Sequence, residues 1–273
     1  MNLEVLISTM NLKDENENLK LIKRMNIKTK SLTINQITNK EIQNFEKREG
    51  QNEVISKKEK GLSKSRNLAV QEAKAEICIF ADNDIVYENN YEKIIKEAYN
   101  KYKDTDIICF WIESNNSTRK IKKMCTSKIG KLRVMRICSL QITFKRKRII
   151  ENNIKFDENF GAGIHYDRGE ETIFLKECID KGLKIRFVNK KIANVNQQQS
   201  VWFNGYNKTF FKKQGAVFYR ISNRFYKLLI FQYAIRKYKL YRKKVKMIDT
   251  IKYMNIGVKE YGKRLNKYNN TSI

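Results

Sequence analysis

Residues 61–87, GLSKSRNLAVQEAKAEICIFADNDIVY, are the stretch that decides the predicted fold. Small and aliphatic side chains at helical spacing predict a helix over Ser63–Ala75, and the apolar run Ile77–Ala81 predicts a buried strand. The strand leads directly into three polar residues, Asp82, Asn83 and Asp84. Ligands bind at the carboxyl ends of strands in open α/β sheets, so this triplet marks a candidate ligand site.

Strands and helices alternate on both sides of this stretch. Apolar runs predict further strands at Leu3–Thr9, Leu32–Ile37, Glu53–Ser56 and Asp106–Ile112. Helical spacing predicts helices at Asn16–Met25 and Tyr91–Tyr102. This alternation is typical of a parallel α/β sheet, which we expect over residues 1–113.

The second half of the chain is less regular. We predict strands at Ser139–Phe144 and Leu183–Val188, a loop rich in Gly, Asp and Asn at Phe156–Arg168, and a helix at Glu170–Lys181 that Gly182 ends. From Ala216 to about residue 247 the sequence is helical, aromatic and basic. We therefore expect a helical C-terminal extension beyond the sheet.

The excess positive charge is confined to two segments. The chain has 273 residues, of which 57 are Lys or Arg and 29 are Asp or Glu, giving a net charge of +28. Residues 114–150 hold 12 basic and no acidic side chains, residues 205–273 hold 18 and 2, and the other segments are balanced. A localised excess indicates surfaces that meet an anionic partner. A hydrophobic content of 41% excludes global disorder, and the absence of proline excludes collagen-like structure.

The cysteines and the N-terminal sequence favour a reducing cytoplasm. The five cysteines include no C-x-x-C pair, so neither a disulfide framework nor a zinc site is expected. The opening MNLEVLISTMN lacks a basic leader followed by a long apolar run, so no signal peptide is expected. The longest uncharged apolar run of the tail, Leu228–Ile235, is eight residues, far short of the roughly 20 that span a bilayer.

Two acidic groups are candidates for chemistry. Asp82 and Asp84 can converge on a hard divalent cation at the strand end, although a simple polar loop explains the same residues. Glu170 and Glu171 open a helix next to a glycine-rich loop. One of them can serve as a general base whose pKa is raised by partial burial, or both can be partners of the helix dipole.

A basic helix start precedes the acidic triplet. Gly61–Asn67 opens a helix whose N–H groups suit a phosphate, and Arg66 adds a fork of hydrogen-bond donors. A capped helix with solvated basic residues explains the same segment. His165 is the only histidine, which excludes a multi-histidine metal site, and it is either a structural residue or a substrate contact.

Four segments resemble, in order and spacing, the family 2 glycosyltransferases, which are inverting enzymes of the nucleotide-diphospho-sugar transferase (GT-A) fold. They are VLISTMN, residues 61–87, FDENFGAG and GEETIFL, within residues 3–190. Bacterial enzymes that build capsule, exopolysaccharide or lipopolysaccharide are the most similar. The resemblance implies a mostly parallel central sheet flanked by helices. It places a GT-A catalytic domain at 1–204, divided into a nucleotide-sugar-binding half (1–113) and an acceptor-side half (114–204), before a basic, aromatic helical tail at 205–273.

The resemblance also implies a reaction. A hexosyl or N-acetylhexosaminyl group would move from a nucleotide-diphosphate sugar, expected to be a UDP-sugar, to a hydroxyl of a growing surface glycan or lipid-linked acceptor. Thr9 and Arg66 lie where the family contacts the nucleotide or its diphosphate. Asp82, Asn83 and Asp84 form the D-x-D motif that binds the donor and, through Asp84 with Asp82, a Mn²⁺ or Mg²⁺ ion. Glu171 occupies the position of the catalytic base, and Glu170 that of its acceptor-contacting neighbour.

Several positions depart from the family pattern. The pair of acids after the second strand, one of which reads the base, is Asn35-Gln36 here, and Asn35 is the candidate nucleotide contact at that place. Ser8 replaces the usual proline of the first strand, and the base is Glu instead of Asp.

The acceptor side has two candidate residues, His165 and Trp202. The Gln-x-x-Arg-Trp motif of processive members is not intact, because Val201 holds the arginine position between Gln198 and Trp202. In this glutamine-rich run the partial match is attributed to chance, and Trp202 stays a candidate for lining the acceptor side.

Two other functions compete with this interpretation. A basic module that binds nucleic acid or another anionic surface without catalysis would explain the charge, but no nucleic-acid-binding motif is present, so no nucleic-acid partner is expected. A sugar-1-phosphate nucleotidyltransferase would need a glycine- and lysine-rich loop after the first strand, which is missing.

The aromatic and basic tail suits an interface, where lysine and arginine stems lie along apolar surface and their charges reach phosphates. We expect it to hold a cytoplasmic protein peripherally on the inner face of the cell membrane. The alternative is a helix packed on the sheet domain with a solvated basic face.

Overall fold

The structure is a computed structural model that describes residues 1–48, 50–114, 121, 123–195 and 205–270, with side chains up to residue 265. Within these residues, ten strands form one sheet. They are β1 (Leu3–Met10), β2 (Lys30–Gln36), β3 (Glu46–Lys47), β4 (Asn52–Lys57), β5 (Ile77–Asp82), β6 (Ile85–Tyr87), β7 (Ile107–Ser114), β8 (Ser127–Lys128), β9 (Ile142–Lys145) and β10 (Ile185–Val195).

Most paired residues of the sheet lie in four long parallel pairings, while the short strands β3, β6, β8 and β9 pair antiparallel. The strand order is β3-β4-β2-β1-β5-β9-β7-β10-β6, with β8 beside β10. Strands β4, β2, β1 and β5 pair in parallel, as do β7 and β10. Strand β9 is antiparallel to both of its neighbours, β5 and β7. The predicted α/β fold with a mostly parallel central sheet is confirmed.

Helices cover both faces of the sheet. They are α1 (Glu15–Arg24), α2 (Leu62–Glu72), α3 (Tyr91–Lys101), α4 (Arg146–Glu151) and α5 (Glu170–Asp180). Alternate residues of β1 enter different cores: Leu6 packs in one hydrophobic cluster, while Val5 and Ile7 pack in the other. Burial on both faces explains why the strands read as nearly continuous apolar runs.

Two strand predictions differ from the structure. Ser139–Gln141 is a short 3₁₀ turn, so the strand predicted from Ser139 begins only at Ile142. The Gln141 side chain holds this turn by donating to the Phe110 carbonyl and accepting from the Cys138 N–H. Strand β10 continues to Val195, well beyond the predicted end at Val188, because register shifts between Val188 and Ala193 let the pairing with β7 resume.

The tail contains four helices, α6 (Lys208–Ile221), α7 (Tyr226–Arg236), α8 (Tyr238–Tyr241) and α9 (Met247–Asn270). The last and longest lies within the predicted helical tail at 205–273, from residue 247 onward, where the helical pattern of the sequence weakens. Helices α6 and α9 touch through their backbones: a Cβ on Gly215 would lie 2.0 Å from the Met254 carbonyl oxygen, and one on Gly257 would lie 1.8 Å from that of Lys212. Two glycines therefore allow a helix–helix contact that no larger side chain permits.

The tail packs against the sheet domain through α6 and α9. Val217 and Tyr261 share a hydrophobic cluster with Phe160, Tyr166 and Ile173. Two ion pairs fasten the same contact, Arg220 to Asp157 at 2.6 Å and Lys213 to Asp167 at 2.5 Å. The part of the tail closest to the sheet domain is thus structural. Among the described helices, none has the length and apolar character to span a membrane.

Candidate active site

The candidate site lies where parallel strands end side by side. In the sheet register Ser8 of β1 pairs with Asp82 of β5, and Thr9 of β1 pairs with Asn35 of β2. The carboxyl ends of β1, β2 and β5 therefore bring Thr9, Asn35 and Asp82 to one edge, as the sequence predicted. Thr9 is buried at this edge, while the Asp82 side chain retains about a third of its exposure.

Asn35 and its neighbour Gln36 fix backbone segments at the edge. The Asn35 side chain accepts from the Leu12 N–H at 2.9 Å and donates to the Leu12 carbonyl at 3.0 Å. The Gln36 side chain makes the same double contact with Gly61, accepting from its N–H at 3.2 Å and donating to its carbonyl at 3.1 Å. An amide can do this and a carboxylate cannot, since only the amide has a donor. The amides that replace the family's acids thus position the loop after β1 and the start of α2.

Arg66 lies beneath the site and connects its two acidic groups. Its side chain is 1% exposed. One guanidinium nitrogen donates to Glu170 at 3.1 Å, and the other donates to Asp82 at 3.2 Å and to the Ser139 hydroxyl at 2.8 Å. The rings of Phe80 and Phe156 lie 5.8 and 5.5 Å from the guanidinium carbon.

The charge of Arg66 is maintained by the acids around it. Burial disfavours the charged guanidinium, but the negative charges of Asp82, Glu170 and Glu171 outweigh this effect and raise the pKa of Arg66. We predicted that Arg66 contacts the nucleotide or its diphosphate, whereas in the structure its donors point to protein groups. Local sequence patterns do not indicate Glu170 and Ser139 as partners, because they lie 104 and 73 residues away in the chain.

The D-x-D triplet forms the turn from β5 to β6. Asp82 ends β5, and Asn83 is exposed, with its backbone carbonyl accepting from Arg24 at 3.0 Å. Oδ1 of Asp84 is buried and has no hydrogen-bond partner among the described residues. Burial, and secondarily the charge of Asp82, raise the pKa of Asp84.

These residues fit a divalent cation. An unpartnered, buried carboxylate oxygen beside a second carboxylate is stabilised by a hard cation that prefers oxygen ligands. No cluster of three or more His, Cys, Asp or Glu able to hold a metal occurs in the described parts of the chain. Among the described residues, a cation held here would therefore have Asp82 and Asp84 as its only acidic ligands.

The acidic pair, Glu170 and Glu171, begins α5 directly after Gly169. Gly169 precedes the helix with a φ of +83°, and a Cβ there would lie 2.7 Å from Cγ1 of Val217 on α6. Glu170 is buried against Arg66, and Glu171 is half-buried one residue further on. Val217 of the tail is thus in direct contact with the turn that precedes Glu170 and Glu171.

The glycine-rich loop covers the start of α2. The Leu62 N–H donates to the Ala162 carbonyl at 3.0 Å, and the Ser63 hydroxyl donates to the Phe160 carbonyl at 2.5 Å. A Cβ on Gly161 would lie 3.0 Å from the Ser63 hydroxyl oxygen. This loop takes up the Leu62 N–H, one of the groups that a phosphate at the helix start would need.

The two acceptor-side candidates are placed differently. His165 is exposed beside Tyr166, with ring centroids 4.6 Å apart. Partial burial and the positive charges of Arg264 and Lys213 lower the pKa of His165. It therefore lies next to the tail. Trp202 falls outside the described residues, as do Gln198 and Val201.

Comparisons with known proteins identify a family and a shared fold. Residues 35–167 match the model of the family described as Glycosyl transferase family 2, an interval that includes Arg66, Asp82 and Asp84. No curated protein matches the sequence.

Solved structures of TarS from S. aureus share the fold. Its residues 1–349 in complex with UDP-GlcNAc align with a TM-score of 0.65 at 14% identity, covering 94% of this chain and 79% of that chain. The complex of the same fragment with UDP aligns at 0.61 and 15%, covering 90% and 76%. A longer TarS structure aligns at 0.61 and 15%, covering 90% of this chain and 46% of that one.

Proposed function

We propose that this chain is an inverting glycosyltransferase: it transfers a sugar from a nucleotide diphosphate to an acceptor hydroxyl and inverts the configuration at the anomeric carbon. The chain belongs to glycosyltransferase family 2, whose model matches residues 35–167. One observation carries the proposal: the buried Arg66 donates to Asp82 and to Glu170 at the same time. We therefore infer that the D-x-D motif and the acidic pair, although far apart in the sequence, belong to the same site.

Asp84 and Asp82 would hold the cation, Mn²⁺ or Mg²⁺, which when bound neutralises the charge of the leaving diphosphate. Thr9 and the Asn35-positioned loop would contact the nucleotide beside them. Arg66 would supply fixed positive charge below the diphosphate and keep both carboxylates in register. We thus assign Arg66 a positioning role, since both terminal nitrogens of its guanidinium are engaged by Asp82, Glu170 and Ser139.

Glu171 would act as the general base. It would accept the proton of the acceptor hydroxyl while that oxygen bonds to the anomeric carbon from the face opposite the nucleotide. The bond from the anomeric carbon to the diphosphate oxygen breaks as the new bond forms, and the nucleoside diphosphate leaves. Glu170, held by Arg66, would anchor the first turn of α5 so that Glu171 faces the acceptor beside His165. Trp202 stays a sequence-based candidate for the acceptor side.

The substrates are proposed from the likeness and from the tail. TarS is seen with UDP-GlcNAc and UDP, which supports a UDP-sugar donor carrying a hexose or N-acetylhexosamine. We propose a growing capsule, exopolysaccharide or lipopolysaccharide glycan, or a lipid-linked sugar, as acceptor. We also propose that the chain works in the cytoplasm on the inner face of the membrane, where such an acceptor is presented.

A panel of nucleotide sugars tests the proposal. Purified protein is incubated with UDP-, GDP- and dTDP-sugars in Mn²⁺ or Mg²⁺, and release of nucleoside diphosphate is measured with and without chelator. We expect one donor to be turned over and the turnover to stop with chelator. Turnover that ignores chelator and survives Asp84→Ala would contradict the assigned metal site. Absence of donor binding together with tight, salt-dependent nucleic-acid binding would favour the non-catalytic module.

A further inference from the structure

The outward side of α7 exposes a row of large apolar residues, here called the α7 face. Its members are 50–65% exposed, and they are Phe225 (56%), Leu228 (65%), Phe231 (55%) and Ile235 (50%). Spacings of three and four residues place them on one side of the helix. The opposite side of α7 is buried through Ile230 and Ala234, which pack in the tail's hydrophobic cluster with α6 and α9. The helix is therefore apolar on both sides, and only its inner side is covered by the described chain.

Basic residues surround this face. Exposed positions on and after α7 hold Arg224, Lys227, Arg236, Lys239, Arg242 and Lys243. No Asp or Glu occurs in the sequence between Asp180 and Asp249. A partner that fits must therefore offer apolar depth and negative charge together.

We propose that the α7 face is a docking surface for an anionic lipid bilayer. Acyl chains would receive the apolar row, and lipid phosphates would meet the surrounding lysines and arginines. A nucleic acid supplies the charge but offers no apolar layer for four exposed hydrophobic side chains. The inference deepens the membrane location within the proposed function.

The α7 face is firmly connected to the acidic pair. The Tyr241 hydroxyl donates to the Ala234 carbonyl at 2.5 Å, which fixes the end of α7. Helix α7 packs on α6, where the Phe218 and Tyr233 ring centroids are 5.5 Å apart. Helix α6 then contacts Gly169 through Val217, directly before Glu170. Docking through α7 would therefore hold the acidic pair at a fixed position relative to the membrane.

Vesicle sedimentation of the full-length protein tests the proposal. Vesicles of phosphatidylglycerol mixed with phosphatidylcholine are compared with vesicles of pure phosphatidylcholine, at low and high salt. We expect binding to the anionic vesicles, weakened by salt. The combined variant Leu228→Ser, Phe231→Ser and Ile235→Ser should reduce partitioning by at least about tenfold, because it removes the apolar contact and leaves every basic residue in place.

The chain offers a matched control in Leu132. This leucine is also 65% exposed and stands between Lys131 and Arg133, but it belongs to the sheet domain. Leu228→Ser alone should weaken binding about threefold, while Leu132→Ser should leave it unchanged. Equal losses of vesicle binding in Leu228→Ser and Leu132→Ser would overturn the proposal. So would vesicle binding by the triple variant that is as strong as that of the wild type.

Further measurements distinguish a lipid bilayer from other ligands of the α7 face, and a failure of docking from a failure of catalysis. If the triple variant changes the oligomeric state in gel filtration and leaves vesicle binding intact, the face binds a second copy of the chain and the proposal is wrong. The proposal would also be overturned if wild type and triple variant bound nucleic acid equally well and neither bound lipid vesicles. Donor turnover in vesicle-free solution should be the same for the triple variant and wild type, so a failure of docking is distinguishable from a failure of catalysis.

Discussion

The strand-end region and the tail are held together by different physics. At the strand ends, specific hydrogen bonds hold buried polar groups: Arg66 meets two carboxylates and a hydroxyl, and Asn35 meets both backbone groups of Leu12. Oδ1 of Asp84 stays buried without a partner among the described residues. In the tail, cohesion comes from close helix contact at Gly215 and Gly257, and large apolar residues remain exposed. The first region is organised to hold charged ligands in fixed geometry, and the second presents a surface.

The largest expected effect comes from Arg66→Met, which breaks the polar matching at its centre. Removing one member of a buried ion-pair network leaves uncompensated charge and costs about 3–5 kcal/mol. We expect the free energy of unfolding to fall by that amount, as measured by urea denaturation, and donor turnover to be lost. Arg146→Met is the control, because that guanidinium bonds the neutral carbonyls of Val70 and Gln71. An equal loss of turnover in both variants would contradict a specific role for Arg66.

A pair of glycines in α9 tests the tail. Gly257→Ala places a Cβ where the Lys212 carbonyl already lies and should destabilise the protein by about 1–3 kcal/mol through overpacking. Gly262→Ala lies in the same helix, with nothing within 4 Å of the added Cβ, and should stabilise by up to about 1 kcal/mol. Thermal unfolding measures both, and a destabilising Gly262→Ala with a neutral Gly257→Ala would refute the α6–α9 contact.

Asn35→Asp restores the family's acid and should still be harmful here. The carboxylate would face the Leu12 carbonyl without a donor, which we expect to cost about 1–3 kcal/mol of unfolding free energy. Asn39→Asp is the control, because its exposed side-chain oxygen accepts from the Glu41 N–H and a carboxylate can do the same. Equal stability of the two variants would show that the amide of Asn35 is not needed.

The smallest effect is a titration. The pKa of His165 should lie below that of a free histidine, because burial and the nearby Arg264 and Lys213 disfavour the cation. NMR titration of the single histidine measures it, and Arg264→Gln should raise the value. Since its folded-state pKa is lowered, the stability linked to His165 is present above its unfolded pKa and is lost as pH falls toward the folded pKa. An unchanged His165 pKa in Arg264→Gln would show that Arg264 of the tail does not influence His165.

The two regions also differ in how well the sequence predicts them. Strands β1, β2 and β5 and the D-x-D triplet follow local patterns, since an apolar run and the polar residues after it fix both strand and edge. The partners of Arg66 and the amide contacts of Asn35 and Gln36 depend on segments distant in the chain. In the tail, the sequence predicts a helical segment but neither the break at Ser222 nor the packing of α9 on α6. That packing depends on contacts between distant residues, Val217 with Gly169 and Gly257 with Lys212.

The most direct test of the proposed reaction is a comparison of Glu171→Gln with Glu177→Gln on the preferred donor. Both substitutions keep shape and remove one charge from α5, but only Glu171 is assigned the acceptor proton. Turnover of Glu171→Gln should fall by about 10²–10⁴-fold, while donor binding by calorimetry stays near the wild-type value and Glu177→Gln stays fully active. Wild-type turnover by Glu171→Gln would contradict the assignment of Glu171 as the base.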